Sequence, residues 1–233
     1  MKLSGEILCQ VFSSLPSKPD WVSCLLVCKA WAAVIARMTW ANPFTSLRKI
    51  DILIECYLNE EYRQSIDMNL PCSNRKPMFD YPAYLETLNY FKLFYLVTRW
   101  IKSQPEIDDV KMRTVRRRLV HAILRVYARS HVQVRTLIVR WESYGEGSEF
   151  HCSEDDAMIL LDSEVSPLLV KTKKLHIRNQ RLLLNFMKNY LELLKIWYVR
   201  PVQTLFEETF VQNEFIFLFR KKICCVFVKD CIN

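Results

Sequence analysis

The chain has 233 residues, of which 51% are hydrophobic and 25% are charged, and this composition excludes a disordered or collagen-like chain. Its 3 glycines are far fewer than the usual ~7% of residues, and no glycine-rich phosphate-binding motif occurs, so a nucleotide-binding fold is disfavoured. The net charge is +8, but a basic block and an acidic block lie next to each other in the chain and cancel, which argues against a uniformly basic protein.

Three short helices are predicted within the first 40 residues. Apolar side chains at positions 7, 8, 11, 12 and 15 form one stripe of a helix over residues 5–14. Asp20 is expected to cap a second helix that carries Leu25 and Leu26, and a third helix is expected over residues 29–38. A bundle this small cannot bury all of its apolar side chains, so we expect an exposed apolar surface that binds a partner.

The same residues resemble an F-box. The family pattern runs Leu-Pro-x-Glu-Ile-Leu, then Ile-Phe, then Val-Cys-Lys-x-Trp and a closing Leu-Trp, and residues 3–40 follow its order and spacing. Ser4 replaces the proline and Thr39 the last leucine; because serine is itself a good helix cap, Ser4 is expected to start the first helix. The resemblance implies an adaptor-binding surface that comprises Leu3, Ile7, Leu8, Val11, Phe12, Leu15, Val27, Cys28 and Trp31.

The resemblance to F-box proteins implies that the chain is a substrate receptor of an SCF-type ubiquitin ligase. Such a subunit docks on a Skp-type adaptor, and through it on the cullin scaffold, while the rest of its chain selects a target protein that the sequence does not identify. It has no catalytic residue and needs no cofactor or metal. An F-box protein that acts as a scaffold outside the ligase is a weaker alternative.

Residues 46–110 are predicted to be a helical linker region after an F-box at 1–45. Leu47, Ile50, Ile54, Tyr57 and Leu58 form a helical stripe, residues 66–82 a loop, and residues 83–101 a strongly apolar helix. The segments 40–44 and 79–82 resemble those of a fungal group of F-box proteins that continue into leucine-rich repeats.

Residues 111–209 are predicted to be a degenerate leucine-rich-repeat-like substrate-binding region, and residues 210–233 a tail of uncertain character. A further helix has an apolar stripe at Val115, Leu119, Ile123, Val126 and Tyr127. Strands are expected at 134–139, 173–177 and 192–196, with Val139, Ile177 and Ile196 in register. The fold class is therefore α+β and mainly α, with either a short, irregular α/β solenoid or an unrelated α/β packing at the end.

Two adjacent charge blocks offer an alternative function. Residues 99–140 carry 11 basic and 3 acidic side chains, whereas residues 141–170 carry 8 acidic and no Lys or Arg side chains. The arginines between 113 and 140 would suit a basic nucleic-acid-associated protein, but the acidic block opposes them, so nucleic acid is a disfavoured partner. The run Arg116-Arg117-Arg118 is interpreted as a solvated helix face.

No catalytic or metal-binding motif is found. Cys24 and Cys28 lie one helical turn apart but within the F-box pattern, so packing is favoured over metal binding. His151 and Cys152 precede three acids, Glu154 to Asp156, and this cluster is interpreted as a solvated acidic loop.

Cysteine usage and apolar runs indicate where the chain is expected to reside. Nine is an odd number, and no Cys-x-x-Cys pair occurs, so a disulfide framework is disfavoured. We expect a reducing compartment, cytoplasmic and/or nuclear. The apolar runs at 215–219 and 223–228 are both far shorter than the ~20 residues of a membrane-spanning helix, so we expect no membrane anchor.

Overall fold

The computed structural model describes residues 4–15, 18–66, 68–73, 76–104, 108–140, 154–170, 172–178, 214–220 and 223–229. The described part is mainly helical, and one sheet follows the first helices. The helices are α1 Gly5–Ser13, α2 Lys18–Leu25, α3 Lys29–Trp40, α4 Leu47–Tyr57, α5 Glu60–Ser65, α6 Tyr90–Lys102, α7 Asp109–Arg129 and the short α8 Glu154–Ala157. The strands are β1 Thr87–Asn89, β2 Thr136–Arg140, β3 Lys174–Arg178, β4 Glu214–Arg220 and β5 Ile223–Lys229.

The bounds of the three N-terminal helices lie within three residues of the predicted ones. The Ser4 hydroxyl accepts a hydrogen bond from the N–H of Ile7 at 3.4 Å, which confirms Ser4 as the cap of α1. Asp20 is not a cap, because α2 already begins at Lys18 and Asp20 is its third residue. Pro19 explains the error, since proline is tolerated in the first turn of a helix and need not precede it.

A small core holds these helices together. Leu8 and Phe12 of α1 and Ile35 of α3 are buried at its centre, with Leu15 and partly buried side chains of α2 and α3 around them. The rings of Phe12 and Trp31 meet edge to face at 5.2 Å, an arrangement that aromatic pairs favour.

A second, larger core is formed by α4, α6 and α7. The predicted stripe of α7 is buried at all five positions, and Ile50, Ile54 and Leu58 are buried at the α4 stripe. Nine of the thirteen residues of α6 are buried, because this helix packs against both α4 and α7 and against β2. Trp40 and Phe44 belong to this core as well.

The apolar helix expected over residues 83–101 is instead three elements. A 3₁₀ turn covers Tyr81–Tyr84, β1 covers Thr87–Asn89, and α6 begins only at Tyr90. The Asn89 side chain accepts a hydrogen bond from the N–H of Lys92 at 3.0 Å and so caps α6. The residues before that cap can therefore remain extended and pair with β2.

The sheet has the order β1-β2-β3-β4-β5. β1, β2 and β3 are parallel, whereas β4 and β5 continue the sheet as an antiparallel pair. Val139 pairs with Ile177, which confirms the register predicted for β2 and β3; residues 192–196 lie outside the described part. The helices α6 and α7 lie between β1 and β2, so this interval is much longer than the roughly 20–29 residues of a leucine-rich repeat.

A buried arginine ties the loop after α5 to the end of α4. The guanidinium of Arg63 donates hydrogen bonds only to backbone carbonyl oxygens, those of Ile54, Glu55, Leu58, Leu70 and Pro71. The N–H of Ser73 also donates to the carbonyl of Glu55, at 3.2 Å. Residues 70–73 are therefore fixed against α4 by hydrogen bonds on both sides of Cys72.

No helix among the described residues combines the length and apolar character that a bilayer crossing requires.

Candidate functional site

Exposed apolar side chains concentrate on the N-terminal bundle. Ile7 and Val11 are each 46% exposed, Val27 is 59% exposed and Leu26 is 84% exposed. We refer to these four side chains as the apolar set. Only three other large hydrophobic side chains of the described residues are exposed, and all of them lie beyond residue 77. Because isolated exposed apolar residues are common but such a concentration is not, the apolar set marks the bundle as a partner-binding surface.

Amphipathic geometry explains why α1 contributes to both core and surface. Its apolar stripe contains neighbouring residues, and successive side chains on a helix differ by about 100° in direction. Leu8 and Phe12 point at α3 and are buried, so Ile7 and Val11 are turned away from it. The stripe is wider than the small core can cover, as the size of the bundle predicts.

The structure divides the predicted adaptor-binding residues into three groups. Ile7, Val11, Val27 and Cys28 are exposed, whereas Leu8 and Phe12 are in the small core. Leu15 and Trp31 are partly buried at its edge, and Leu3 lies outside the described residues. The sequence placed Leu26 on the apolar face of the second helix, but α2 ends at Leu25 and Leu26 lies in the following turn, fully accessible to a partner.

Residues 5–46 match the family model described as F-box-like. The chain carries an F-box-like domain. The match supports an F-box protein, and domains of this family bind Skp-type adaptors within cullin complexes. No curated protein and no solved structure matches the chain.

The end of the F-box-like domain is part of the larger core. Trp40 stacks on Tyr81 with ring centroids 4.6 Å apart, and Phe44 meets Tyr127 edge to face at 5.9 Å. The carbonyl of Ala41 accepts hydrogen bonds from the N–H groups of residues 86 and 87, each at 2.9 Å. The helix α3 thus contributes Ile35 to the small core and Trp40 to the larger one.

The basic helix α7 is covered by the acidic segment 154–170. Asp156 is 1% exposed, and its carboxylate lies 4.0 Å from the guanidinium of Arg116 and 3.7 Å from that of Arg117. The guanidinium of Arg116 also lies 4.2 Å from the ring centre of Phe94. The interpretation of Arg116 and Asp156 as solvated is therefore wrong, while His151 and Cys152 lie outside the described residues.

Apolar burial is the physical reason for this arrangement. Five side chains of the segment are in the larger core: Ala157, Leu160, Val165, Leu168 and Leu169. They bring the acids between them onto α7, where Glu164 pairs with Arg125 and Asp162 with His121. Arg125 and Arg129 in addition lie over the ring of Tyr62. Much of the basic block is thus engaged within the protein.

One group of side chains in the described residues has the composition of a metal site. The ligand atoms of His121, Asp162 and Glu164 lie within 4.8 Å of one another. The guanidinium of Arg125 pairs with Glu164, however, and Asp162 lies 3.3 Å from the imidazole of His121 and accepts a hydrogen bond from the N–H of Glu164. A cation would have to displace a guanidinium, so we interpret this group as an ion-pair network and assign no metal to it.

Asp162 makes the network sensitive to pH. The hydrogen bond from the N–H of Glu164, and then the contact with His121, lower the pKa of the Asp162 carboxyl from its usual value of 3.8, although partial burial acts in the opposite direction. A lowered pKa in the folded state stabilises the protein above the unfolded-state pKa, and this contribution is lost as the pH falls through the folded-state pKa.

We therefore expect Asp162→Asn to lower the free energy of unfolding at pH 7 by less than about 1 kcal/mol, because the pair is partly in water. The difference from the wild type should shrink as the pH falls below about 4. Urea unfolding at several pH values measures it, with Glu61→Gln as a control at an exposed position. A difference of the same size at pH 3 and pH 7 would show that the charge is not its source.

Proposed function

We propose that this chain is a substrate-recognition subunit of an SCF-type ubiquitin ligase. It binds a Skp-type adaptor, and through it the cullin scaffold, with its F-box-like domain, and it binds a target protein with the region after residue 46. The observation that carries the proposal is the match of residues 5–46 to the F-box-like family, on a bundle that exposes an apolar set. The proposed location is the cytoplasm and/or the nucleus.

The residues of the bundle have two roles in this proposal. The exposed side chains contact the adaptor directly: Ile7, Val11, Val27, Cys28 and, in addition to the residues predicted from the sequence, Leu26. Leu8 and Phe12 act indirectly, because they fix the position of α1 on α3. Leu15 and Trp31 are partly buried and serve both purposes. Leu3 remains a sequence-based prediction.

The proposed subunit catalyses no chemical step itself. Its contribution is to raise the effective concentration of the target near a ubiquitin carrier, since two partners on one scaffold meet in a nearly intramolecular encounter. The target-binding region comprises the larger core and the parallel strands β1, β2 and β3. In more detail, we propose that residues 111–209 form a degenerate solenoid, and the parallel pairing of β2 and β3 supports this.

The structure gives little support to the alternative of a nucleic-acid-associated protein. It requires the arginines of residues 113–140 to be available to phosphates. Arg116, Arg117 and Arg125 instead face the carboxylates of the acidic segment, and Arg118 donates a hydrogen bond to the carbonyl of Ser65 at 2.9 Å. We therefore do not propose this function.

The experiment that tests the proposal changes the exposed side chains of α1. The double variant Ile7→Asp with Val11→Asp should keep the far-ultraviolet circular dichroism of the wild type, because both side chains are outside the small core. Its affinity for a purified Skp-type adaptor, measured by isothermal titration calorimetry, should fall at least ~30-fold, the loss expected from interface anchors.

Two further variants separate binding from stability. Met78→Asp places the same charge on another exposed apolar side chain, outside the bundle, and should bind the adaptor normally. Leu8→Ala empties part of the small core and should lower both stability, by about 2–5 kcal/mol, and binding. Wild-type affinity in the folded Ile7 and Val11 double variant would rule out this surface as the adaptor site.

A further inference from the structure

A surface groove outside the F-box-like domain contains two cysteines. The groove has a volume of about 660 Å³ and lies between the end of α4 and residues 71–73, 76 and 77. Cys56 and Cys72 both line it, the first partly buried and the second exposed. Both carry free thiols. The F-box resemblance and the proposed function assign no role to either residue.

Backbone hydrogen bonds hold the two cysteines beside each other. The N–H of Ser73 donates to the carbonyl of Glu55 at 3.2 Å, and Cys72 and Cys56 are the chain neighbours of these two residues. From standard bond lengths, the two Cα atoms are then at most about 8.5 Å apart. A disulfide requires roughly 4.4–6.8 Å between its two Cα atoms, and the upper limit of about 8.5 Å for Cys56 and Cys72 allows such a distance.

The arginine described above fixes the other side of Cys72. Arg63 donates to the carbonyl of Pro71 at 2.6 Å and to that of Glu55 at 3.1 Å. The segment that carries Cys72 is thus held to α4 before and after the thiol, and little conformational freedom remains to be lost when the two sulfur atoms join.

We propose that Cys56 and Cys72 are an oxidisable dithiol that forms a reversible disulfide in response to a hydroperoxide. Cys72 is the thiol that reacts first, because it is exposed to an oxidant in solution whereas Cys56 is partly buried. Cys56 is the resolving thiol. Burial and the neighbouring Glu55 carboxylate raise the pKa of the Cys56 thiol, which suits the slower partner.

The reaction is balanced in two steps. The thiolate of Cys72 attacks the terminal oxygen of the hydroperoxide; the O–O bond breaks, hydroxide leaves from hydrogen peroxide or alkoxide from an organic hydroperoxide, and the sulfur is oxidised to a sulfenic acid. The sulfur of Cys56 then attacks the Cys72 sulfur; the S–S bond forms, the S–O bond breaks, and the departing hydroxide takes the Cys56 proton as water. With hydrogen peroxide, two thiols and one peroxide give one disulfide and two waters, and an external thiol restores the reduced pair.

The chain offers a direct readout of this bond. Trypsin cuts after Lys49, Arg63 and Arg75, so Cys56 lies in the peptide 50–63 and Cys72 in the peptide 64–75, with no other cysteine in either. The full chain is treated with one equivalent of hydrogen peroxide, its remaining thiols are blocked, and the digest is analysed by mass spectrometry. We expect the two peptides joined to each other, and separated again by dithiothreitol.

Three controls make the result specific to the folded groove. Cys72→Ser should abolish the linked pair, whereas Cys9→Ser, at a partly buried thiol of α1, should leave it unchanged. The same oxidation in concentrated urea should give at least ~10-fold less of the 56–72 link, because the unfolded chain does not hold the thiols together. Free Cys56 and Cys72 after oxidation of the folded chain, or an equal yield in urea, would overturn the proposal.

Discussion

Replacement of Arg63 by methionine is expected to lower the free energy of unfolding by about 3–5 kcal/mol. The side chain is almost fully buried and supplies hydrogen bonds to five backbone carbonyls that α4 and the following loop leave without helical partners. Hydrogen bonds that involve a charged group contribute about 1.5–3 kcal/mol each, and some of the carbonyls will recover water when the guanidinium is removed. Methionine keeps the apolar stem of the side chain to about the position of Nε, so the loss comes from the guanidinium, through its hydrogen bonds and its packing.

Urea unfolding followed by circular dichroism measures this effect. Arg63→Lys should be intermediate, because an ammonium has three donors in a compact arrangement and cannot reach all five carbonyls. Arg48→Met, at an exposed position of α4, should change stability by less than about 0.5 kcal/mol. If Arg63→Met and Arg48→Met were equally stable, the carbonyls around Arg63 would not depend on it.

The second large effect is expected at Asp156. Substitution by alanine should cost about 3–5 kcal/mol, because it leaves the buried guanidinium of Arg116 without its carboxylate in a largely dry environment. The backbone carbonyl of Asp156, which accepts a hydrogen bond from the Tyr90 hydroxyl, is retained in the variant.

A double-mutant cycle isolates the ion pair from other losses. Arg116→Met should be less destabilising in the Asp156→Ala background than in the wild type, with a coupling energy between about 0.5 and 3 kcal/mol. Asp162→Asn, on the exposed part of the same segment, is the matched control and should cost less than about 1 kcal/mol. Strictly additive losses at positions 116 and 156 would mean that the two side chains stabilise the fold independently.

The periodicity of apolar residues was sufficient to predict an element and its buried face wherever one face of that element is apolar and the other is polar. The bounds of α1 and the buried stripe of α7 follow from residue spacing alone, and so does the register between Val139 and Ile177. The same reasoning failed before α6, where nearly every side chain is apolar. In that segment the Asn89 cap decides where the helix starts, and a single asparagine is a weak signal in an apolar run.

Features that depend on tertiary contacts were not accessible from the sequence. Arg63 lies in the short segment Glu60–Ser65, whose mostly polar sequence is typical of a solvent-exposed helix. Its side chain is nevertheless buried among backbone carbonyls. The acids of segment 154–170 lie on α7 because apolar side chains between them enter the larger core, which no local pattern indicates. At the proposed adaptor surface, the sequence identified the apolar residues of α1 but could not say that Leu8 faces inward and Ile7 outward, since α3 decides that.

The shared helix α3 also determines how freely the two halves of the molecule can reorient. Ile35 and Trp40 are anchored in different cores, and only about 7.5 Å of continuous helix separates them at a rise of 1.5 Å per residue. Hinges are loop or element-terminal residues that absorb changes in backbone dihedral angles, and residues 35–39 lie inside the helix. The larger body, which is the part of the protein built around the larger core, therefore keeps a fixed orientation relative to the bundle. In the proposed function, a target bound by the larger body therefore keeps a constant orientation relative to the adaptor bound by the bundle.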